Sequence, residues 1–246
     1  MIVVYRLGFL ALLVAFWMFA AQQFGRNVVP SPLATFEAAQ RLIAEGRLQS
    51  AFGASLAVYL SGYVLAVICA ISIGVLMGAL RLLGKTLEVY VFALAATPRV
   101  AFIPMIIMTL GVGVEAKIFV VFLGALMPIL INTYAGILGV DEELVEMARS
   151  TGASRRRIFV EIVLPGAVPF VLTGMRIGAT IGLINTVVAE LYTAVSGLGG
   201  LLALYGNTFR MAEYFVVVLT LALIGVVVTE TLRLVESRFL EWRGTD

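Results

Sequence analysis

Charged, capping and helix-breaking residues able to engage a partner are concentrated between Asp141 and Pro165, in DEELVEMARSTGASRRRIFVEIVLP. Elsewhere reactive groups are sparse. The chain has no His, and its single Cys, Cys69, lies in an apolar run. That removes disulfides, thiolate metal clusters and imidazole acid–base chemistry, and Cys69 reads as a small hydrophobe. An intramembrane enzyme would be left with Ser–Lys or carboxylate chemistry. Lys85 and Lys117, however, fall at the ends of apolar runs, and no Asp lies inside one. A Gly-Lys-Ser/Thr phosphate loop is also missing, so the chain is expected not to hydrolyse ATP by itself.

Within the polar stretch, Asp141 can cap a helix, and Glu142 and Glu143 suit its positive N-terminal end. Leu144, Met147, Ala148 and Thr151 share one helix face, while Glu142, Glu146 and Arg149 share the other. Gly152 can take the left-handed conformation that ends such a helix. Ser154 can then cap a second helix, with Ile158, Phe159, Ile162 and Val163 turning back towards apolar surroundings and Pro165 marking entry into the next span. The pattern predicts a short two-helix hook. Its Met147, Ala148 and Gly152 face is small and apolar, suited to a groove on another protein. The alternative is a loop folded back on the membrane, with Arg155–Arg157 binding anionic lipid.

The elements that must hold this hook are built for lipid. Of 246 residues 61% are hydrophobic and only 13% charged, against about 25% charged in soluble domains; the mean hydropathy is +1.06. The class is all-α integral membrane protein. Leu7–Ala21 is expected to be a retained first span rather than a cleaved signal. Thr35–Leu48 reads as an amphipathic interfacial helix after a turn at Ser31-Pro32. Leu56–Leu80 is a span with small residues (Ser61, Gly62, Ala66, Ala70, Gly74, Gly78) near every fourth position, the pattern of close helix contact in lipid. Leu87–Leu110 contains Pro98, Arg99 and Pro104 and is expected to be broken, beside protein or a water-filled cavity. Gly111–Gly113 is a turn, and Ile118–Val140 a span interrupted by Pro128. Gly166–Ala189 follows the hook, Glu190–Arg210 is a Gly-rich connection, Tyr214–Thr229 is the last span, and Leu232–Arg243 is a charged tail. That makes about six spans in one membrane domain, with residues 1–50 as first helix plus extracytoplasmic segment and 51–246 as the core.

The basic residues set an orientation. With the N-terminus in the cytoplasm, Arg6, Arg81, Lys85, Arg149, Arg155, Arg156, Arg157, Arg233, Arg238 and Arg243 are inside, and Arg26, Arg41, Arg47, Lys117 and Arg210 outside. The excess puts both termini and the hook in the cytoplasm. Inside the spans, Arg99, Asn132, Asn185 and Glu190 are candidates for a solute pathway. Arg99 would suit an anion, or could snorkel or pair with a backbone carbonyl. The two asparagines could contact solute or join helices. Glu190 could cap its span or form an outer gate with Ser196–Gly200, and Arg176 reads as structural.

Glu146, Ala148, Gly152, Ile162, Leu164 and Pro165 match at the right spacing the EAA loop of permease subunits of bacterial ATP-binding-cassette importers; Met147 stands where a second small residue is usual. TPRVAFIP (Thr97–Pro104), GVGVEAKIF (Gly111–Phe119) and AELYTAVSGLGGLL (Ala189–Leu202) resemble the nitrate/sulfonate/taurine branch. The resemblance implies a type I importer permease fold in the bacterial inner membrane, forming a dimer, commonly of two identical copies. It further implies that the loop, Met147 included, couples to cytoplasmic ATP-binding subunits. ATP would then be bound there and not by this chain, which needs no cofactor or metal. An extracytoplasmic binding protein would deliver the solute, a small anion such as a sulfonate, taurine or nitrate. The bilayer is the remaining partner and nucleic acid is not one. The rival is a stand-alone secondary transporter or channel, for which inverted repeats and ionisable relays inside the spans would be expected.

Overall fold

The structure, a computed structural model, describes residues 2–25 and 28–240. Arg26 and Arg243, both used to set the orientation, lie outside the described residues. Every regular element described is helical: α1 (Ile2–Phe24), α2 (Pro32–Ala44), α3 (Arg47–Ala79), α4 (Arg81–Ala96), a 3₁₀ turn (Arg99–Phe102), α5 (Ile103–Leu110), α6 (Val114–Leu138), α7 (Glu142–Ser150), α8 (Arg155–Ile158), a π turn (Phe159–Val163), α9 (Leu164–Thr193), α10 (Gly197–Asn207) and α11 (Met211–Leu240). Five stretches are long and apolar enough to cross a bilayer: Val4–Phe24, Arg47–Ala79, Val114–Leu138, Arg155–Thr193 and Met211–Arg238. The pair Arg81–Ala96 and Arg99–Leu110, bent by 79°, makes a sixth if it is one broken span. The bend follows from the sequence, since Pro98 disfavours helical geometry at Thr97 and offers no N–H to continue the ladder.

The chain divides into two compact units. The larger comprises Ala57–Ala189 and Gly225–Asp246, and α6 is its centre, with half of its apolar window buried. The fourfold stripe of small residues on α3 serves α6. A Cβ on Gly62 would meet Val121 at 2.7 Å, one on Gly74 would meet Thr133 at 2.8 Å, and Gly78 lies directly against Ile137; Ala66 and Ala70, between them, are fully buried. Ser61 is off the stripe and exposed. From the other side α9 approaches α6 as closely, with Gly174 against Asn132 and Gly178 against Ile129. In lipid such backbone approach is what dispersion requires, because the tails are as apolar as the side chains. Tyr63 also donates to the Met175 carbonyl at 2.9 Å, tying α3 to α9.

The smaller unit comprises Met1–Leu56 and Glu190–Ile224. Trp17 of α1 stacks on Phe215 of α11, centroids 5.9 Å apart, and donates its indole N–H to the Pro30 carbonyl at 2.9 Å. Ser31 caps α2 by accepting the Ala34 N–H at 3.2 Å.

Four expectations about elements are corrected. The amphipathic helix is Pro32–Ala44 rather than Thr35–Leu48: Pro at the first helical position is preorganised, and left-handed Gly46 ends the helix. Pro128 does not interrupt its span, because α6 runs through it. The connection Glu190–Arg210 contains an 11-residue helix, α10. The charged tail is the continuation of α11 to Leu240, where Glu230 pairs with Arg233 at 2.6 Å and Glu236 with Arg176 at 2.9 Å. Lys117, counted with the outer loops, belongs to α6 and is 2% exposed.

Candidate functional site

Three clusters of polar residues stand out, and each candidate coupling or pathway residue falls in one of them. The first is the hook. Asp141 caps α7 by accepting the Glu143 N–H at 2.9 Å, with Glu142 and Glu143 in the first turn and Arg149 in the last, matching both ends of the helix dipole. No residue of α7 is buried; Met147 is 60% exposed. At its C-terminus the Ala153 N–H reaches the Ala148 carbonyl at 3.1 Å and the Gly152 N–H reaches that of Arg149 at 3.0 Å, with Gly152 at φ +83°. This is a Schellman stop, in which the left-handed residue favours glycine. A Cβ on Gly152 would meet nothing within 4 Å. Within the chain, therefore, only backbone strain resists a larger residue there. Ser154 then caps α8, accepting the Arg157 N–H at 3.3 Å.

Between α7 and the returning helix lies a groove of about 300 Å³ lined by Ala148, Gly152, Ala153, Ile158 and Ile162 among others. Arg157 pairs with Glu161 along its rim at 2.9 Å. The π turn Phe159–Val163 follows, and Pro165 sits in the first turn of α9. Pro165 has no N–H for the carbonyl four residues back, at Glu161, so widening the preceding turn relieves the lost bond and the ring clash. Glu146, Met147, Ala148, Gly152, Ile162, Leu164 and Pro165 thus all belong to one exposed hook and its return into α9.

The second cluster surrounds Pro128 in α6. A proline there leaves the carbonyl of residue 124 without its helical donor. Arg99, from the broken span, supplies one: its guanidinium donates to the Gly124 carbonyl at 2.9 Å, to Leu123 at 3.2 Å and to its own Ala95 at 3.3 Å. Asn185 of α9 packs its amide directly over Gly124, where a Cβ would have no room, and donates to its own Ile181 carbonyl at 2.9 Å. Asn132 donates to the Pro128 carbonyl at 2.8 Å, with its Cβ against Gly174. Three of the four pathway candidates therefore meet within about two turns of α6. Among the described residues no carboxylate pairs with Arg99, so carbonyl dipoles hold its charge without neutralising it.

The fourth candidate, Glu190, belongs to a third cluster, in the smaller unit. It is 1% exposed. Its carboxyl oxygens accept the Ser55 hydroxyl at 2.8 Å and the Gly199 N–H at 2.9 Å, while Ser55 Oγ accepts the Leu198 N–H at 2.8 Å. The first free N–H groups of α10 are thereby satisfied. Ser55 carries no local signal in the sequence, since its partners lie 135 and 143 residues away. Arg176 is a brace, paired with Glu236.

The helical fold has solved counterparts. The methionine transporter MetNI, solved in inward-facing conformations, superposes with a TM-score of 0.69 at 18% identity, covering 80% of this chain and 97% of that one. An amino acid ABC transporter superposes with a TM-score of 0.64 at 19% identity, over 81% and 95%. Residues 62–241 match the family model of the binding-protein-dependent transport system inner membrane component, and the chain belongs to that family. The "probable ABC transporter permease protein" of Brucella abortus (strain 2308) is 36% identical over 219 residues, 89% of this chain and 88% of its own length. The Escherichia coli taurine transport system permease protein TauC is 28% identical over 245 residues, covering 97% and 89%. The nitrate import permease protein NrtB of Leptolyngbya laminosa is 28% identical over 177 residues, covering 72% and 63%.

Proposed function

We propose that this chain is the membrane-spanning subunit of an ATP-driven importer for a small organic or inorganic anion, of the sulfonate, taurine or nitrate kind. It works as a pair of identical copies, with cytoplasmic ATP-binding subunits beneath and a binding protein delivering solute from outside. Both termini and the hook face the cytoplasm. The observation that carries the coupling role is α7: a nine-residue helix, capped at both ends by its own residues, with no buried side chain. A helix that satisfies its own backbone yet exposes Leu144 and Met147 (45% and 60%) is shaped for a protein groove.

Motion has a route. The helical path from Arg155 to Thr193 is continuous, so displacement of the hook tilts α9, and the Arg176–Glu236 brace at 2.9 Å carries the tilt to α11. Closure of the ATP-binding subunits would in this way open or close the spans, with hydrolysis confined to the partner. The anion preference rests on Arg99, a half-buried guanidinium whose partners among the described residues are carbonyls, with remaining donors that suit a sulfonate or nitrate oxygen. The test is affinity purification of the tagged chain in mild detergent from its own host. A nucleotide-binding subunit with ATPase activity is expected to accompany it and to be lost on joint replacement of Glu146 and Gly152. An ATPase-free chain under several gentle conditions contradicts the proposal.

A further inference from the structure

The segment Gly197–Asn207 is a helix that its own sequence argues against. Its first turn carries Gly197, Gly199 and Gly200, and glycine is among the poorest helix formers. Gly197 is required where it stands: at φ +85° its Cα lies directly against the Glu190 carboxyl, and a Cβ would collide with it. Gly200 is different. A Cβ there would find its nearest neighbour at 3.7 Å, ordinary contact, and its φ is not in the left-handed region. Packing does not demand glycine at 200.

The ends of the segment are also unusual. Among the described residues, the non-glycine residues with left-handed φ are Ala194 (+49°) and Phe209 (+55°), and they flank α10 on either side. A Cβ makes that conformation costly, and such residues persist only where surrounding contacts hold them. At the far end the holding contacts are the Arg210 N–H to the Tyr205 carbonyl at 2.9 Å, the Arg210 guanidinium over the Tyr205 ring at 5.1 Å, and its pairing with Glu213 at 2.7 Å. Glu213 in turn holds Arg41 of α2 at 3.7 Å. At the near end the Ala194 N–H reaches the Glu190 backbone carbonyl at 2.8 Å, and the Ser55 hydroxyl and Glu190 carboxyl hold the Leu198 and Gly199 N–H groups just beyond it.

We infer that α10 is a two-state segment, latched shut by Glu190 and Ser55, which opens by unwinding its glycine turn and pivoting at Ala194 and Phe209. Glu190 and Ser55 are positioning residues: they hold the Leu198 and Gly199 N–H groups, which as first-turn donors have no acceptor within α10. Gly200 keeps the opened state accessible. The use of this segment as a gate for solute rests on the importer proposal above, whereas its two-state behaviour does not.

The test is hydrogen–deuterium exchange of the full-length chain in lipid nanodiscs, following the amides of residues 195–209. Glu190→Gln replaces one of the two acceptor oxygens facing the Ser55 hydroxyl and the Gly199 N–H with an amide donor and is expected to raise exchange there by roughly tenfold or more, and Ser55→Ala by several-fold, with α6 unchanged. Gly200→Ala, which preserves the latch and adds helix propensity, is expected to slow exchange by several-fold. The inference is overturned if Glu190→Gln and Ser55→Ala leave the segment within about twofold of the parent, if exchange rises equally in α6, or if Gly200→Ala has no effect. Exchange that responds as expected in a chain that brings down no ATPase keeps the latch and removes the importer. An ATPase-bound chain whose 195–209 amides ignore all three changes does the reverse.

Discussion

The hook and the Pro128 cluster are both polar interruptions in an apolar chain, and they solve the same problem in opposite ways. The hook satisfies its backbone from within: Asp141 and Ser154 cap their own helices and Gly152 closes a Schellman stop. Its apolar groups, Leu144 and Met147, are left outside. The Pro128 cluster satisfies its backbone from across the unit, with Arg99 reaching 25 residues to the Gly124 carbonyl. There Gly124 and Ala125 are buried and a charge is left over. A segment complete in itself with apolar groups exposed fits the partner role proposed above; a segment that needs its neighbours holds the fold together. The two should respond differently to mutation.

The largest effect is expected at the hook. Gly152→Trp costs the isolated chain mainly backbone strain, on the order of 1 kcal/mol, because a Cβ there meets nothing within 4 Å. It is nevertheless expected to leave a chain that inserts normally and captures its ATPase at least about tenfold less well in pull-down. Unimpaired capture would mean that the groove beside Gly152 faces no partner.

The cluster predicts the opposite pattern for Gly124→Val. A side chain there overlaps the Asn185 amide, and overpacking of this kind costs about 1–3 kcal/mol. The expected result is a several-degree fall in the thermal unfolding midpoint of the detergent-solubilised chain. A midpoint unchanged from the parent would show that α6 and α9 are not in close contact at that point.

Arg99 sharpens the comparison, because two roles can be separated. Arg99→Ala frees the Gly124 carbonyl, and an unsatisfied buried group costs roughly 1–3 kcal/mol. Adding Pro128→Ala restores an amide N–H at position 128 to take that carbonyl. The double variant is expected to regain the thermal stability of the parent while uptake of the anion proposed as solute stays impaired. Recovery of both would make Arg99 a structural group alone. The smallest effect belongs to Arg176→Ala. Its partner bond is partly exposed, at 41% and 16% for the two side chains, and loss of under about 1 kcal/mol is expected in the same unfolding assay.

What the sequence made legible was local. Asp141, Gly152 and Ser154 act through bonds to residues two to five positions away, so the hook could be drawn from spacing alone. The small-residue stripe on α3 was equally visible, because Gly62, Gly74 and Gly78 share a face whatever they meet. Pro128 misled: a proline looks like an interruption until a guanidinium from another element takes up the carbonyl it frees. α10 was hidden for a related reason. Three glycines in its first turn read as a loop, and the groups that make them helical, Ser55 and Glu190, lie on other helices. Arg99 showed itself as a charge among prolines, but its partner carbonyls did not.

The central claim is that α7 enters a groove on a nucleotide-binding subunit, and cross-linking from position 147 tests it most directly. With Cys69 replaced by alanine, Met147→Cys puts a lone thiol on the exposed face of α7, where a short bifunctional reagent can be applied in native membranes. An adduct between this chain and a nucleotide-binding protein is expected, formed in an ATP-sensitive manner and abolished by Gly152→Trp. A nucleotide-binding subunit that co-purifies with the chain but never cross-links from position 147 would contradict it.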